Sequence, residues 1–167
     1  MADDSEPLIV RVEIPKGSRN KYEWDEELGA IKLDRFLFSS VVYPTDYGFI
    51  PDTLAADGDE LDAMVLVTEP TFSGCIILAK PVGLFRMTDD GARDDKILCV
   101  PLHDPNWADV AQCDDVHQSM RTEIEHFFSI YKQPEGKTVE VDGWYDRQAA
   151  LEAIDRARRR YAGEDVD

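Results

Sequence analysis

The chain has 167 residues, with 35 Asp and Glu against 18 Lys and Arg, a formal net charge of −17, and 43% hydrophobic residues. That apolar share builds a core and excludes a disordered acidic chain, and the length suits one domain, taken as residues 1–167 with flexible ends at 1–7 and 163–167. The charge repels nucleic acid and anionic lipid, no apolar run approaches the ~20 residues of a membrane helix, and the acidic N-terminus is no secretory signal, so the expected setting is cytoplasmic, with neither nucleic acid nor membrane as partner.

In chain order, residues 8–14 alternate apolar and polar with the period of a strand. Residues 21–25 alternate too, and a turn signal at 26–29 joins them to 30–35 as a hairpin. Further strands are expected at 61–68, 75–86, 96–102 and 138–141, with prolines 44, 51, 70, 81, 101 and 105 punctuating the chain. Residues 118–132 and 147–161 have helical period. Met120, Ile124, Phe127, Phe128 and Tyr131 form the stripe of the first, and Ala150, Ile154, Ala157 and Tyr161 that of the second. Asp146 suits the second helix's N-cap, and four arginines crowd its C-terminal end, where cations complement the macrodipole. Short strands followed by two helices predict a mainly β, α+β fold, a small barrel or curled antiparallel sheet with helices on one side; element order alone does not separate barrel from sandwich.

Cys75, Cys99 and Cys113 are too few for a disulfide framework, and the Cys99-x3-His103 and Cys113-x3-His117 pairs read as buried thiols rather than zinc ligands. The informative stretch is Asp57-Gly-Asp-Glu-Leu-Asp62. Residues 36–79 contain no Lys, Arg or His, yet hold seven carboxylates including Asp46 and Asp52. Carboxylates this dense are tolerable when solvated, or when divalent cations neutralise them. Spacing excludes an EF-hand, since Leu61, Asp62 and Thr68 fall where an oxygen ligand, Gly and Glu are needed. A second cluster, Asp89, Asp94 and Asp95, is expected in a loop that meets the first across a barrel mouth, where the two would hold hard cations such as Mg²⁺. The scarce cations Lys21, Arg35, Lys96 and Lys132 could together clamp an anion that metals also bind, with Tyr43 and Tyr47 supplying hydroxyls. Gly136-Lys-Thr138 matches only the end of a P-loop, and no nucleophile elbow or dinucleotide fingerprint occurs. Two rival readings remain at this level, an OB-like binding module and a non-catalytic cation buffer. The charge opposes the first, and the second leaves the basic residues without a task.

The hexapeptide at 57–62 resembles the Asp-x-Asp-[Pro/Glu]-apolar-Asp signature of the soluble family I inorganic pyrophosphatases of bacterial type. Val12-Glu-Ile-Pro15, Asn20-Lys-Tyr-Glu23, Leu33-Asp-Arg35, Tyr43-Pro-Thr-Asp-Tyr-Gly48, Met87-Thr-Asp89, Asp94-Asp-Lys96, Tyr131-Lys132 and Gly143-Trp144 follow in that family's order. The resemblance implies a five-stranded OB-like barrel with helices packed outside, assembled as a homohexamer. It implies Mg²⁺-dependent hydrolysis of pyrophosphate to two orthophosphates, with Mn²⁺ or other divalent ions as substitutes. Asp57, Asp62 and Asp94 would hold the first metal, with Asp62 shared by a second. Asp89 and Asp94 would take the metal that arrives with substrate, and Glu13 would support a further one. Lys21, Arg35, Tyr47, Lys96, Tyr131 and Lys132 would bind phosphate, with Glu23 and Tyr43 in support. Asp59 or Asp94 would accept the water's proton. Glu60 stands where many relatives have Pro, and adds a charge.

Overall fold

The computed structural model describes residues 6–166. The expected flexible ends at 1–5 and 167 lie outside the described residues, whereas Gly163 and Glu164 bond back to the backbone of Arg160 and Arg159. The described residues form eight strands and two α-helices: β1 (Leu8–Ile14), β2 (Asn20–Asp25), β3 (Ala30–Phe36), β4 (Asp46–Ile50), β5 (Leu61–Val65), β6 (Ile76–Asp89), β7 (Ala92–Pro101), α1 (Gln118–Ile130), β8 (Val139–Tyr145) and α2 (Arg147–Tyr161).

Five strands close into a ring. β1 pairs with β4, β4 with β5, β5 with β7, β7 with β6, and β6 returns to β1. The fold is therefore mainly β, and the ring is the expected OB-like barrel. One pairing, β5 with β7, is parallel rather than antiparallel. β8 extends the sheet from the far half of β6, while β2 and β3 form a hairpin of their own. β6 spans both neighbours because it is 14 residues long and bends at two bulges. Pro81 sits at the first bulge, where its missing N–H breaks no regular ladder, so it does not interrupt the strand as a break would.

The central strands are apolar without alternation because both faces are covered. Leu61, Ala63, Val65, Ile97 and Cys99 pack in one core cluster with Ala150, Ala153, Ile154 and Ala157 of α2. Met64, Leu66, Leu98 and Val100 pack in another with Ile124, Phe127 and Phe128 of α1. The helices thus serve separate clusters instead of sharing one side. Asp146 caps α2 as expected, its carboxylate accepting from the Ala149 amide at 2.9 Å. Cys99 and Cys113 are buried free thiols.

Two segments differ from the sequence expectation. β4 is a strand where the sequence reading placed none. Gly48 is there because the chains touch: a Cβ on it would lie 1.9 Å from the Arg11 carbonyl oxygen. The second acidic cluster is not a loop but the end of a β-hairpin, with Asp89 closing β6 and Asp94 and Asp95 inside β7. Asp90 and Gly91 make the tight turn, both with positive φ (52° and 79°), as hairpin twist demands. The guanidiniums of Arg86 and Arg93 both donate to Asp95, which lets acidic residues stand in a strand.

Candidate active site

Strand parity builds the site. On β7, Asp94 and Lys96 lie on the face that further along carries Leu98 and Val100; on β5, Asp62 shares a face with Met64. The parallel register sets Asp62 directly beside Lys96. One face is therefore apolar beneath α1 and charged at the strands' N-terminal ends.

Lys96 is the centre of this group, with 1% of its surface exposed. Its ammonium donates to Tyr47 Oη at 2.7 Å, to Asp62 Oδ2 at 3.2 Å and to Asp94 Oδ2 at 3.1 Å. Tyr47 in turn donates to Asp62 Oδ2 at 2.7 Å. Phe128 of α1 and Tyr47 each lie 5.0 Å from the ammonium, ring face toward it. Burial opposes the charge on Lys96, but Asp94 and Asp62 outweigh it and hold its pKa above the usual lysine value. Desolvation raises Asp94, and the neighbouring Asp62 and Asp89 add to it against the pull of Lys96.

Around this centre the expected residues converge from five further segments. Asp57 and Asp59 come from the loop between β4 and β5, where Asp57 Oδ1 accepts from the Asp59 amide at 3.0 Å. Desolvation raises the pKa of Asp57. The same loop is pinned from behind by α2: the Leu54 amide donates to the Ala157 carbonyl at 3.0 Å, and Arg160 Nη1 donates to the Leu54 carbonyl at 2.8 Å. Glu13 comes from the end of β1. Its carboxylate accepts from the Trp24 amide at 2.8 Å, yet burial lifts its pKa to about 7. Lys21 and Glu23 come from β2, Asp89 from the end of β6, and Tyr131 and Lys132 from the end of α1. Burial keeps Tyr43, Tyr47 and Tyr131 protonated, as neutral hydroxyls.

Thirteen of the fourteen expected site residues line one cavity of about 340 Å³. The exception is Arg35 on β3, which Asp34 and Glu135 hold outside it. Each site cation has an acidic partner: Lys21 with Asp34, Lys132 with Asp89, Lys96 with Asp62 and Asp94, and Arg35 with Glu135. Asp34 and Glu135 are the residues sequence reasoning did not single out. The only sequence signal for Asp34 is its place beside Arg35, and Glu135 has none. Among the described residues no three carboxylates stand close enough to cage a cation as they are.

A family model described as inorganic pyrophosphatase matches residues 10–162. The chain belongs to the inorganic pyrophosphatase family. It is 57% identical to the inorganic pyrophosphatase of Methanosarcina acetivorans over 152 residues, covering 91% of this chain and 90% of that one. To the inorganic pyrophosphatase of Streptomyces coelicolor it is 52% identical, covering 91% and 94%. The crystal structure of the Thermus thermophilus inorganic pyrophosphatase superposes with a TM-score of 0.92 at 44% identity, over 98% of this chain and 95% of that one. As a pyrophosphatase the chain is a hydrolase acting on inorganic diphosphate, a class that generally needs a divalent metal.

Proposed function

We propose that this pyrophosphatase works with Mg²⁺, through the fourteen residues named above. The single observation that carries this is the convergence of thirteen of them on one cavity that holds carboxylates, cations and neutral hydroxyls together. The donor set fits a hard divalent ion, since the residues offered are oxygens, with no thiolate or imidazole among them. Burial leaves Asp57 and Asp94 short of positive charge, which a cation would relieve. Asp57, Asp62 and Asp94 would hold one ion and Asp62 a second, with Asp89 and Asp94 for the ion that accompanies substrate and Glu13 for another. Bound ions would supply Lewis acidity toward water and the phosphoryl oxygens.

The chain's own side chains do the rest. Lys21, Lys96 and Lys132, joined by Arg35, bind the phosphate oxygens and neutralise charge growing on the leaving group. Tyr47 and Tyr131 donate hydroxyl hydrogen bonds, with Tyr43 and Glu23 in support. Asp59 takes the proton from the attacking water in preference to Asp94. Both oxygens of Asp94 already accept from Lys96, whereas no hydrogen bond or ion pair engages the Asp59 carboxylate among the described residues. We read residues 1–167 as one domain, cytoplasmic in setting; no described helix is long and apolar enough to cross a membrane. A homohexamer is the assembly proposed, and the exposed Ile9, Ile76 and Leu78 on the paired strands β1 and β6 offer an apolar face for it.

The test is orthophosphate release from pyrophosphate with Mg²⁺, with chelator, and with ATP as control substrate. Fast Mg²⁺-dependent release with ATP nearly untouched is expected. No release with any divalent ion, from a folded sample, would refute the assignment.

A further inference from the structure

Of the six side chains assigned to phosphate, Arg35 alone stands outside the cavity. Its guanidinium forks onto Glu135, with Nε toward Oε1 and Nη2 3.3 Å from Oε2, while Nη1 donates to Asp34 at 2.6 Å. A bidentate guanidinium fits a carboxylate and a phosphate in the same way. Glu135 therefore occupies the edge of Arg35 that a phosphate would use. Arg35 is not remote from the cavity, for it pairs across the hairpin with Lys21, which lines it.

Glu135 is itself tied to the site. It ends a single 3-10 turn, Gln133–Glu135, whose closing bond runs from the Glu135 amide to the Lys132 carbonyl at 3.0 Å. Gly136, in the left-handed region at φ 75°, ends that turn. Arg35 rides on the β2–β3 hairpin, which pairs with no strand of the ring. The pair thus spans from a hairpin outside the ring to the segment that carries Tyr131 and Lys132.

We propose that Glu135 is a positioning residue that competes with phosphate for Arg35. It holds the guanidinium in reserve while the cavity lacks an anion, yields it to pyrophosphate, and takes it back as orthophosphate leaves. The competition weakens binding of substrate and product alike. This rests on the assignment of Arg35 to phosphate given above.

The test compares Glu135→Gln, Glu135→Asp, Arg35→Ala and the Arg35→Ala/Glu135→Gln double variant. The readouts are KM for pyrophosphate with Mg²⁺, the inhibition constant of orthophosphate, and the thermal midpoint. Glu135→Gln keeps the size and removes the charge. Both constants should fall about 3- to 10-fold, the scale of a partly exposed ion pair with charge-assisted bonds. Glu135→Asp, which keeps the charge, should stay nearer the parent, and adding Glu135→Gln to Arg35→Ala should change neither constant. A rise in KM in Glu135→Gln would mean that Glu135 orients Arg35 for binding, and would overturn the proposal. Unchanged constants at an unchanged midpoint would overturn it as well. If Arg35→Ala alone leaves both constants at parent values, the phosphate assignment of Arg35 has failed, which is a separate result that removes the proposal's ground.

Discussion

Gly48→Ala tests how tightly the ring is closed. The added Cβ would meet the Arg11 carbonyl oxygen at 1.9 Å, the Arg11 carbonyl carbon at 2.8 Å and the Val12 Cα at 2.9 Å. All three are backbone atoms, so no rotamer change makes room. Cβ contacts below 3.0 Å are essentially never seen, so β1 and β4 must part by about 1 Å. β1 carries Val10 and Val12, both fully buried, and pairs on both sides. Overpacking of this kind costs ~1–3 kcal/mol where side chains yield, and a strained ladder adds about 1 more. At a total of about 2–4 kcal/mol, a chain of this size should lose roughly 4–16 °C of thermal midpoint. Differential scanning calorimetry and urea titration would both show it. Since Tyr47 is the neighbouring residue and donates to Asp62, turnover should fall about 10- to 100-fold even where the variant is folded. A midpoint within about 2 °C of the parent, with an unchanged urea m-value, would refute the steric argument.

Three further outcomes are expected. Asp62→Asn should lower kcat by at least about 100-fold while the fold persists, and turnover within a few-fold of the parent would remove the shared-ligand assignment. Lys96→Met should abolish turnover and cost about 1–3 kcal/mol, since it leaves Asp62 and Asp94 facing each other without their cation; the partial exposure of both carboxylates moderates that loss, and added Mg²⁺ should raise this variant's melting temperature more than the parent's. Arg160→Ala should raise the Mg²⁺ concentration needed for half-maximal turnover about 3- to 10-fold with a small stability loss, because it frees the loop that carries Asp57 and Asp59; an unchanged Mg²⁺ dependence would show that the Leu54–Ala157 bond suffices alone.

The charged half of the site was legible because its residues keep local patterns. The period-two faces of β1 and β2, the cap at Asp146 and the α1 stripe ending at Tyr131-Lys132 all follow from neighbours in sequence. Three things were not legible. β4 hid behind Gly48, whose reason is a contact with a strand more than thirty residues away. The Asp94 segment looked like a loop because Arg86, which helps Asp95 stand in a strand, reaches it from the opposite strand of the hairpin. The pairing of Arg35 with Glu135 links positions 100 residues apart and has no local signature.

The parallel joint between β5 and β7 sets when the enzyme can first work. Asp62 and Lys96 become neighbours only when two strands 34 positions apart align in one register, and no tight turn can guide that alignment. Loop-closure entropy must be overcome before those contacts reward it, which places this step late in refolding. Helix and hairpin signals therefore recover ahead of turnover after dilution from denaturant. A partly assembled chain displays its acids without the cation that gathers them, and catalysis becomes a direct report of ring closure.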